Sequence, residues 1–267
     1  MTTRTHDRPP AGPERPARRW LGGRTPDPGA AFRLYCFPCA GGSAAMYRSW
    51  QERAPSHVEV RPVELPGHGR RLGEDPFLGL PPLVRALTED LAGELHRPFA
   101  LFGHSMGGLI AFELARALRE RGLPQPAHLF LAATASPERK VTRTALHAAS
   151  DEEVLDELRA MGGTPRELLD DRELMDLAIP TLRADYALLH TYEYREKPPL
   201  PVPFTVLGGA ADTITPPTSL PGWRRHTTGG TDLRTLPGGH FFVQDTVPEI
   251  MAAVRAALPV HGPSVTG

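Results

Sequence analysis

The sequence predicts an α/β protein with a mostly parallel central sheet and helices on both faces. Three observations carry that expectation. Short β-like runs alternate with longer helical patterns. Several of those runs are almost continuously apolar, as strands covered on both sides are. And 267 residues with 40 % hydrophobic and 23 % charged content suffice for one well-filled core.

Taken in order, strands are expected at Arg33–Phe37, Val58–Val63, Phe99–Gly103, His128–Ala132, Phe204–Gly208 and Asp232–Leu236. Helices fit Leu80–His96, Met106–Arg121 and Pro248–Ala257. In the second helix Leu109, Ile110, Leu114 and Leu118 recur at helical spacing and form a stripe to lay on the sheet. From about 138 to 197 the alternation stops. Ser150 with Glu153 reads as a capping box, and Val154, Leu155, Leu158 and Met161 follow before Gly162-Gly163 ends the helix. Thr164, Pro165 and Glu167 read as a second helix start. A helical insertion of that length between two strands is expected to be a lid, with a packed subdomain as the plainer alternative. One domain is therefore expected over 20–258. Residues 1–19, rich in Pro, Arg, Thr and Gly, read as a disordered tail and 259–267 as a C-terminal tail, with fraying from Leu258 onward.

Composition removes several functional classes. The 30 basic and 31 acidic residues leave a net charge of −1, which argues against a nucleic-acid binder and gives no pull toward anionic membranes. Only Lys140 and Lys197 among the basic residues are lysine, a bias that resembles GC-rich coding more than a binding patch. No apolar run reaches the ~18–20 residues of a spanning helix, and the N-terminus has no signal-peptide block. A cytoplasmic protein is expected. Cys36 and Cys39 form a C-x-x-C pair, but two thiols do not complete a structural zinc site. Pro38 and the glycines after Cys39 suggest a loop leaving a strand, where a redox pair would sit at a helix N-terminus.

The chemistry concentrates at Gly103-His104-Ser105-Met106-Gly107, a G-x-S-x-G placed between an apolar strand and an amphipathic helix. There it has the mechanical meaning of a nucleophile elbow, the sharp turn of an α/β-hydrolase fold that exposes a serine hydroxyl. Serine needs a base, and the base an orienting carboxylate, in the chain order Ser, Asp or Glu, His. Asp212 follows the Val206–Gly209 strand end, and His240 follows Leu236-Pro237-Gly238-Gly239. Ser105 is thus read as nucleophile, His240 as general base and then acid, and Asp212 as the residue that fixes its tautomer. Structural roles are the plainer alternative for each alone. Of the rival groups, Asp232 lies at the wrong end of a strand and Asp245 reads as the cap of the last helix. His104 reads as a packing residue or as a support behind the reacting groups, His68 as a neighbour of the pocket, and His190 is left open between solvent and substrate. Oxyanion donors are expected from the backbone N–H of Met106, at a helix start, and of Ala40, in the loop Pro38-Cys39-Ala40-Gly41-Gly42-Ser43.

Five ordered segments then resemble one family. Cys36 to Ser43, Glu64-Leu65-Pro66-Gly67-His68-Gly69, Gly103 to Gly108, Leu182-Arg183-Ala184-Asp185 and Gly238-Gly239-His240-Phe241-Phe242 are similar to the stand-alone type II thioesterases of polyketide and nonribosomal peptide biosynthesis. The resemblance, from about Trp20 to Leu258, implies an α/β-hydrolase fold with a helical lid. It also implies hydrolysis of acyl groups from the phosphopantetheine arm of carrier proteins, as an editing step through an acyl-enzyme. The family's catalytic positions fall on Ser105, Asp212 and His240, with oxyanion donors at Ala40 and Met106. Cys39 departs from the family's usual histidine or aromatic residue, and His190 from its common acidic one. No metal or cofactor of the enzyme is implied; the partners are carrier proteins or domains, and a monomer is expected. Arg139, Lys140 and Arg143 are candidates to meet an acidic carrier helix, solvated surface charge being the simpler explanation. The alternatives are a carboxylester hydrolase or lipase with the same triad, and a product-releasing thioesterase, against which Met1 and the lack of an adjoining carrier domain argue. An inactive binding scaffold is a further alternative that the triad opposes.

Overall fold

The computed structural model describes residues 19–21, 27–139 and 144–259. The tails expected over 1–19 and 259–267 fall outside these residues except at Arg19 and Pro259. Six parallel strands form one sheet in the order β2-β1-β3-β4-β5-β6. They are β1 (Phe32–Phe37), β2 (Val58–Pro62), β3 (Phe99–His104), β4 (Leu129–Ala132), β5 (Phe204–Gly209) and β6 (Thr231–Leu236). The helices are α1 (Trp50–Arg53), α2 (Leu80–Leu91), α3 (Met106–Glu120), α4 (Asp151–Met161), α5 (Arg166–Leu169), α6 (Arg172–His190) and α7 (Val247–Ala257). This is the α/β-hydrolase architecture, with each predicted strand present to within a residue.

From β1 to β5 the sheet is buried on both faces, successive side chains pointing opposite ways, while the edge strand β6 is only partly covered. All six residues of β1 are buried. Tyr35 and Phe37 join the core beneath α2 and α3, with Leu83, Leu87, Ile110 and Leu114. Phe32, Leu34 and Cys36 join the core beneath α1 and α7, with Trp50, Ile250 and Val254. That division explains why the strands read as unbroken apolar runs. Each fully buried Leu or Phe contributes roughly 1.5–3 kcal/mol.

Several boundaries differ from expectation. Helix α2 ends at Leu91, and Ala92–Glu94 tightens into a 3₁₀ turn at Gly93, a poor helix former. Asp245 does not cap α7: it closes the 3₁₀ turn Phe242–Gln244, and the N-cap position belongs to Thr246, whose hydroxyl donates to the Phe242 carbonyl at 2.9 Å. Leu258 is buried, and its carbonyl lies 2.7 Å from His57 Nε2, so the end does not fray there.

Between β4 and β5 lie α4, α5 and α6. Both halves of the Ser150–Glu153 capping box are formed at the start of α4. Helix α5 begins after Pro165 with no side-chain cap, so the start signal at Thr164 is not used. Asp171 caps α6 by accepting from the Leu174 N–H at 3.1 Å. These helices share a small core of Val154, Leu169, Met175, Ile179, Leu182 and Tyr186, and Ala40 of the main body packs against it.

Candidate active site

The elbow is a local consequence of its residues. β3 ends at His104 and α3 starts at Met106, leaving Ser105 alone in the turn with φ 55° and ψ −117°. A non-glycine residue there stores roughly 1–3 kcal/mol of strain. The strain is held by bonds on both sides of the residue: Ser105 N–H donates to Ala132 O at 2.8 Å, and Ser105 O accepts from Gly108 N–H at 2.9 Å and the Thr134 hydroxyl at 3.0 Å. A Cβ on Gly103 would stand 2.1 Å from Gly107 O, and one on Gly107 2.1 Å from Phe37 O. Neither position admits a side chain.

Because every strand is parallel, the loops after β1, β3, β5 and β6 open at one edge of the sheet. Ser105 Oγ lies 3.0 Å from His240 Nε2, and His240 Nδ1 lies 2.9 Å from Asp212 Oδ2. Asp212 Oδ1 accepts from the Ile214 and Thr215 N–H groups at 2.8 and 2.9 Å. Burial works against the Asp212 charge, yet the His240 contact and the two backbone bonds outweigh it and lower its pKa. An ionised carboxylate only accepts, so His240 carries its proton on Nδ1 and offers the Nε2 lone pair to the serine hydroxyl. Asp232, the rival orienter, is paired with Arg234 instead, at 2.7 Å.

Of the two readings of His104, the structure shows the supporting one. It is fully buried, and its Nε2 donates to the backbone carbonyl of His240 at 2.8 Å. Its Nδ1 has no partner among the described residues. Desolvation, reinforced by His240, lowers its pKa from 6.5 to about 4, so the ring is a neutral donor that holds the loop of the base. His128, buried beside Thr205, is lowered to about 4 by the same desolvation. A depressed pKa gives stability that is present above the unfolded value of 6.5 and lost as the pH falls through the folded one. Between those limits the unfolded chain binds protons that the folded rings refuse. Unfolding free energy should therefore drop by about 1.4 kcal/mol per pH unit for each ring. Urea titrations at pH 7, 6 and 5 check this: His128→Gln should remove one proton from the slope, and a flat stability would contradict it.

The loop after β1 starts beside the elbow, where the Phe37 and Pro38 carbonyls lie against Gly107. Gly41 N–H donates to Asp185 Oδ2 at 2.7 Å, Gly42 N–H to Cys39 O at 2.9 Å and Ala44 N–H to Glu64 Oε1 at 2.9 Å. The Ala40 and Met106 amides have no such partner among the described residues. Both amides are thus free to donate, the Met106 one at the positive end of α3. Gly41 has φ 71°, and a Cβ there would stand 2.9 Å from Leu182 Cδ1 on α6. Gly41→Val should displace the Ala40 donor and lower kcat by up to about 10²–10³-fold with KM nearly unchanged. Steady-state kinetics on an acyl-pantetheine check this; an unchanged kcat would remove the loop from the site.

The helices between β4 and β5 roof the same edge. A Cβ on Gly163, in the α4–α5 turn, would meet the Phe241 ring at 2.3 Å, and that ring sits edge-on to His240 with centroids 5.5 Å apart. His190 stacks on His147 with centroids 4.3 Å apart. Arg139 is exposed, while Lys140 and Arg143 lie outside the described residues. Both cysteines are buried free thiols, and burial pushes Cys39 up to about 12.

This geometry agrees with what the chain matches. The model of the thioesterase domain covers residues 32–258. The chain belongs to the thioesterase domain family. LgrE of Brevibacillus parabrevis, named a linear gramicidin dehydrogenase, is 37 % identical over 90 % of this chain and 92 % of its own. RedJ, a thioesterase from the prodiginine pathway of Streptomyces coelicolor, is 39 % identical, with a TM-score of 0.81 over 94 % of this chain and 91 % of its own. BorB, the type II thioesterase of the borrelidin cluster, is 36 % identical, with a TM-score of 0.80 over 88 % of this chain and 96 % of its own. The expected resemblance to type II thioesterases therefore extends to whole folds.

Proposed function

We propose that this thioesterase-family protein hydrolyses acyl groups from the phosphopantetheine thioesters of carrier proteins, as an editing enzyme of polyketide or nonribosomal peptide assembly. The observation that carries the chemistry is the hydrogen-bonded line Ser105–His240–Asp212 at 3.0 and 2.9 Å. The substrate class is supported by RedJ, a thioesterase of the prodiginine pathway, and BorB, a type II thioesterase of the borrelidin cluster. The dehydrogenase in the name of LgrE is not carried over, because an activated serine beside two backbone donors is a site for acyl transfer.

His240 Nε2 takes the Ser105 hydroxyl proton as Oγ bonds to the thioester carbonyl carbon. The oxygen becomes an oxyanion facing the Ala40 and Met106 amides. Collapse of this adduct breaks the C–S bond, and the departing thiolate takes the proton from His240, leaving an acyl-serine. A water then gives a proton to His240 as its oxygen attacks the acyl carbon. The second collapse breaks the bond to Oγ, returns the proton to Ser105 and frees the acid. Nucleophile, base and charge stabilisation all come from the chain, so the reaction as written needs no metal or organic cofactor. We place it in the cytoplasm, with the protein acting as a monomer on acyl or peptidyl carriers.

The test compares acyl-carrier proteins, acyl-pantetheines and matched oxygen esters. kcat/KM should be highest for carrier-bound thioesters; preference for oxygen esters would make the protein a carboxylester hydrolase. Macrocyclic product in place of free acid would make it a releasing enzyme.

A further inference from the structure

Asp185 of α6 stands outside the catalytic relay, yet it is buried and joins three segments. Its Oδ2 accepts from the Gly41 N–H at 2.7 Å and lies 2.9 Å from His68 Nε2 on the β2–α2 loop. One turn earlier, the Thr181 hydroxyl donates to Gly67 O at 2.8 Å, so α6 is seated on both loops at once.

The protonation of His68 follows from its partners. Its Nδ1 lies 2.9 Å from Pro66 O, and a carbonyl only accepts, so Nδ1 carries a proton. The Asp185 carboxylate also only accepts, so Nε2 carries one too. The ring is a buried imidazolium. Desolvation opposes that charge, but the bond and charge of Asp185, the Pro66 carbonyl and the charge of Glu64 outweigh it and raise the pKa. Cys39, which also senses Asp185, stays a neutral thiol, its pKa pushed up to about 12 first by burial and then by that charge.

Two buried carboxylates thus clamp the loop after β1, Asp185 at the Gly41 amide and Glu64 at the Ala44 amide. We propose that Asp185, steered by His68, is a positioning residue that fixes the Gly41 peptide so that the neighbouring Ala40 N–H faces the developing oxyanion. Because Asp185 belongs to α6, completion of the oxyanion hole depends on the seating of that helix. The proposal rests on the acyl-transfer reading of the site.

The role predicts loss of transition-state stabilisation without loss of ground-state binding. In Asp185→Ala, kcat on an acyl-pantetheine should fall about 10²-fold with KM within threefold. Affinity for a trifluoromethyl ketone, which forms an oxyanion on Ser105, should fall by a similar factor. Affinity for an S-alkyl pantetheine thioether, which has no carbonyl, should stay as in the wild type. An unchanged kcat, or equal weakening of both inhibitors, overturns the proposal. His68→Gln gives a second test should Asp185→Ala fail to fold. In the wild type, kcat should fall at alkaline pH as His68 loses its proton and turns a lone pair toward the carboxylate. His68→Gln keeps a donor and cannot titrate, so this limb should vanish; its persistence overturns the proposal. If the wild type cleaves only oxygen esters, the thioester reading falls. The same kcat and ketone comparison on those esters then still decides the role of Asp185.

Discussion

Ser105→Ala is expected to lower kcat for acyl-thioester hydrolysis by on the order of 10⁶-fold. The variant loses the oxygen that His240 is placed to activate, while Gly103, Gly107 and the bonds that hold the turn are untouched. Alanine keeps the Cβ and the same strained backbone, so the melting temperature should move little. KM, set by contacts elsewhere in the pocket, should also stay close to wild type. A residual rate of about 10³–10⁴ over water is expected from binding and the two backbone donors. Loss of activity together with loss of folding would instead assign Ser105 a structural role.

Asp212→Asn should cost about 10⁴-fold in kcat, and the geometry says why so conservative a change is severe. Oδ1 accepts two backbone N–H bonds, from Ile214 and Thr215, and an amide nitrogen cannot accept either. The asparagine must therefore put its oxygen there and its NH₂ where Oδ2 now meets His240 Nδ1. His240 would then accept at Nδ1 and carry its proton on Nε2, facing a hydroxyl whose proton it has to take. The tautomer is read directly by ¹⁵N chemical shifts of the imidazole, and kcat by steady-state assay. An Asp212→Asn protein with wild-type kcat would mean that another group orients the base.

How much of this could be read from the chain depends on how local each feature is. The elbow is legible because strand, turn glycines and helix stripe lie within Phe99–Leu118 and each acts on its neighbours. Convergence of the loops holding Ala40, Asp212 and His240 is legible one step removed, since a parallel sheet brings every strand's C-terminal end to one edge. Helix α6 is hard to read from sequence because it runs unbroken through Pro180, a residue that usually ends a helix, and its apolar face packs into a separate small core. The ten-residue 3₁₀ run Pro217–His226 has no apolar period to betray it, although Trp223 anchors it to Thr134 O at 2.8 Å. Asp185 stands in the Leu182-Arg183-Ala184-Asp185 segment, whose sequence shows no task for it. Its partners Gly41 and His68 lie 144 and 117 positions away, and nothing in the neighbouring residues points to either.

The most direct test is to mix the protein with an acylated carrier protein and follow intact masses through the first turnover. The carrier should lose the mass of its acyl group, and that mass should appear briefly on the peptide containing Ser105, persisting longer in Asp212→Asn. A carrier unloaded at the wild-type rate by Ser105→Ala, with no acyl group ever found on Ser105, would contradict the account.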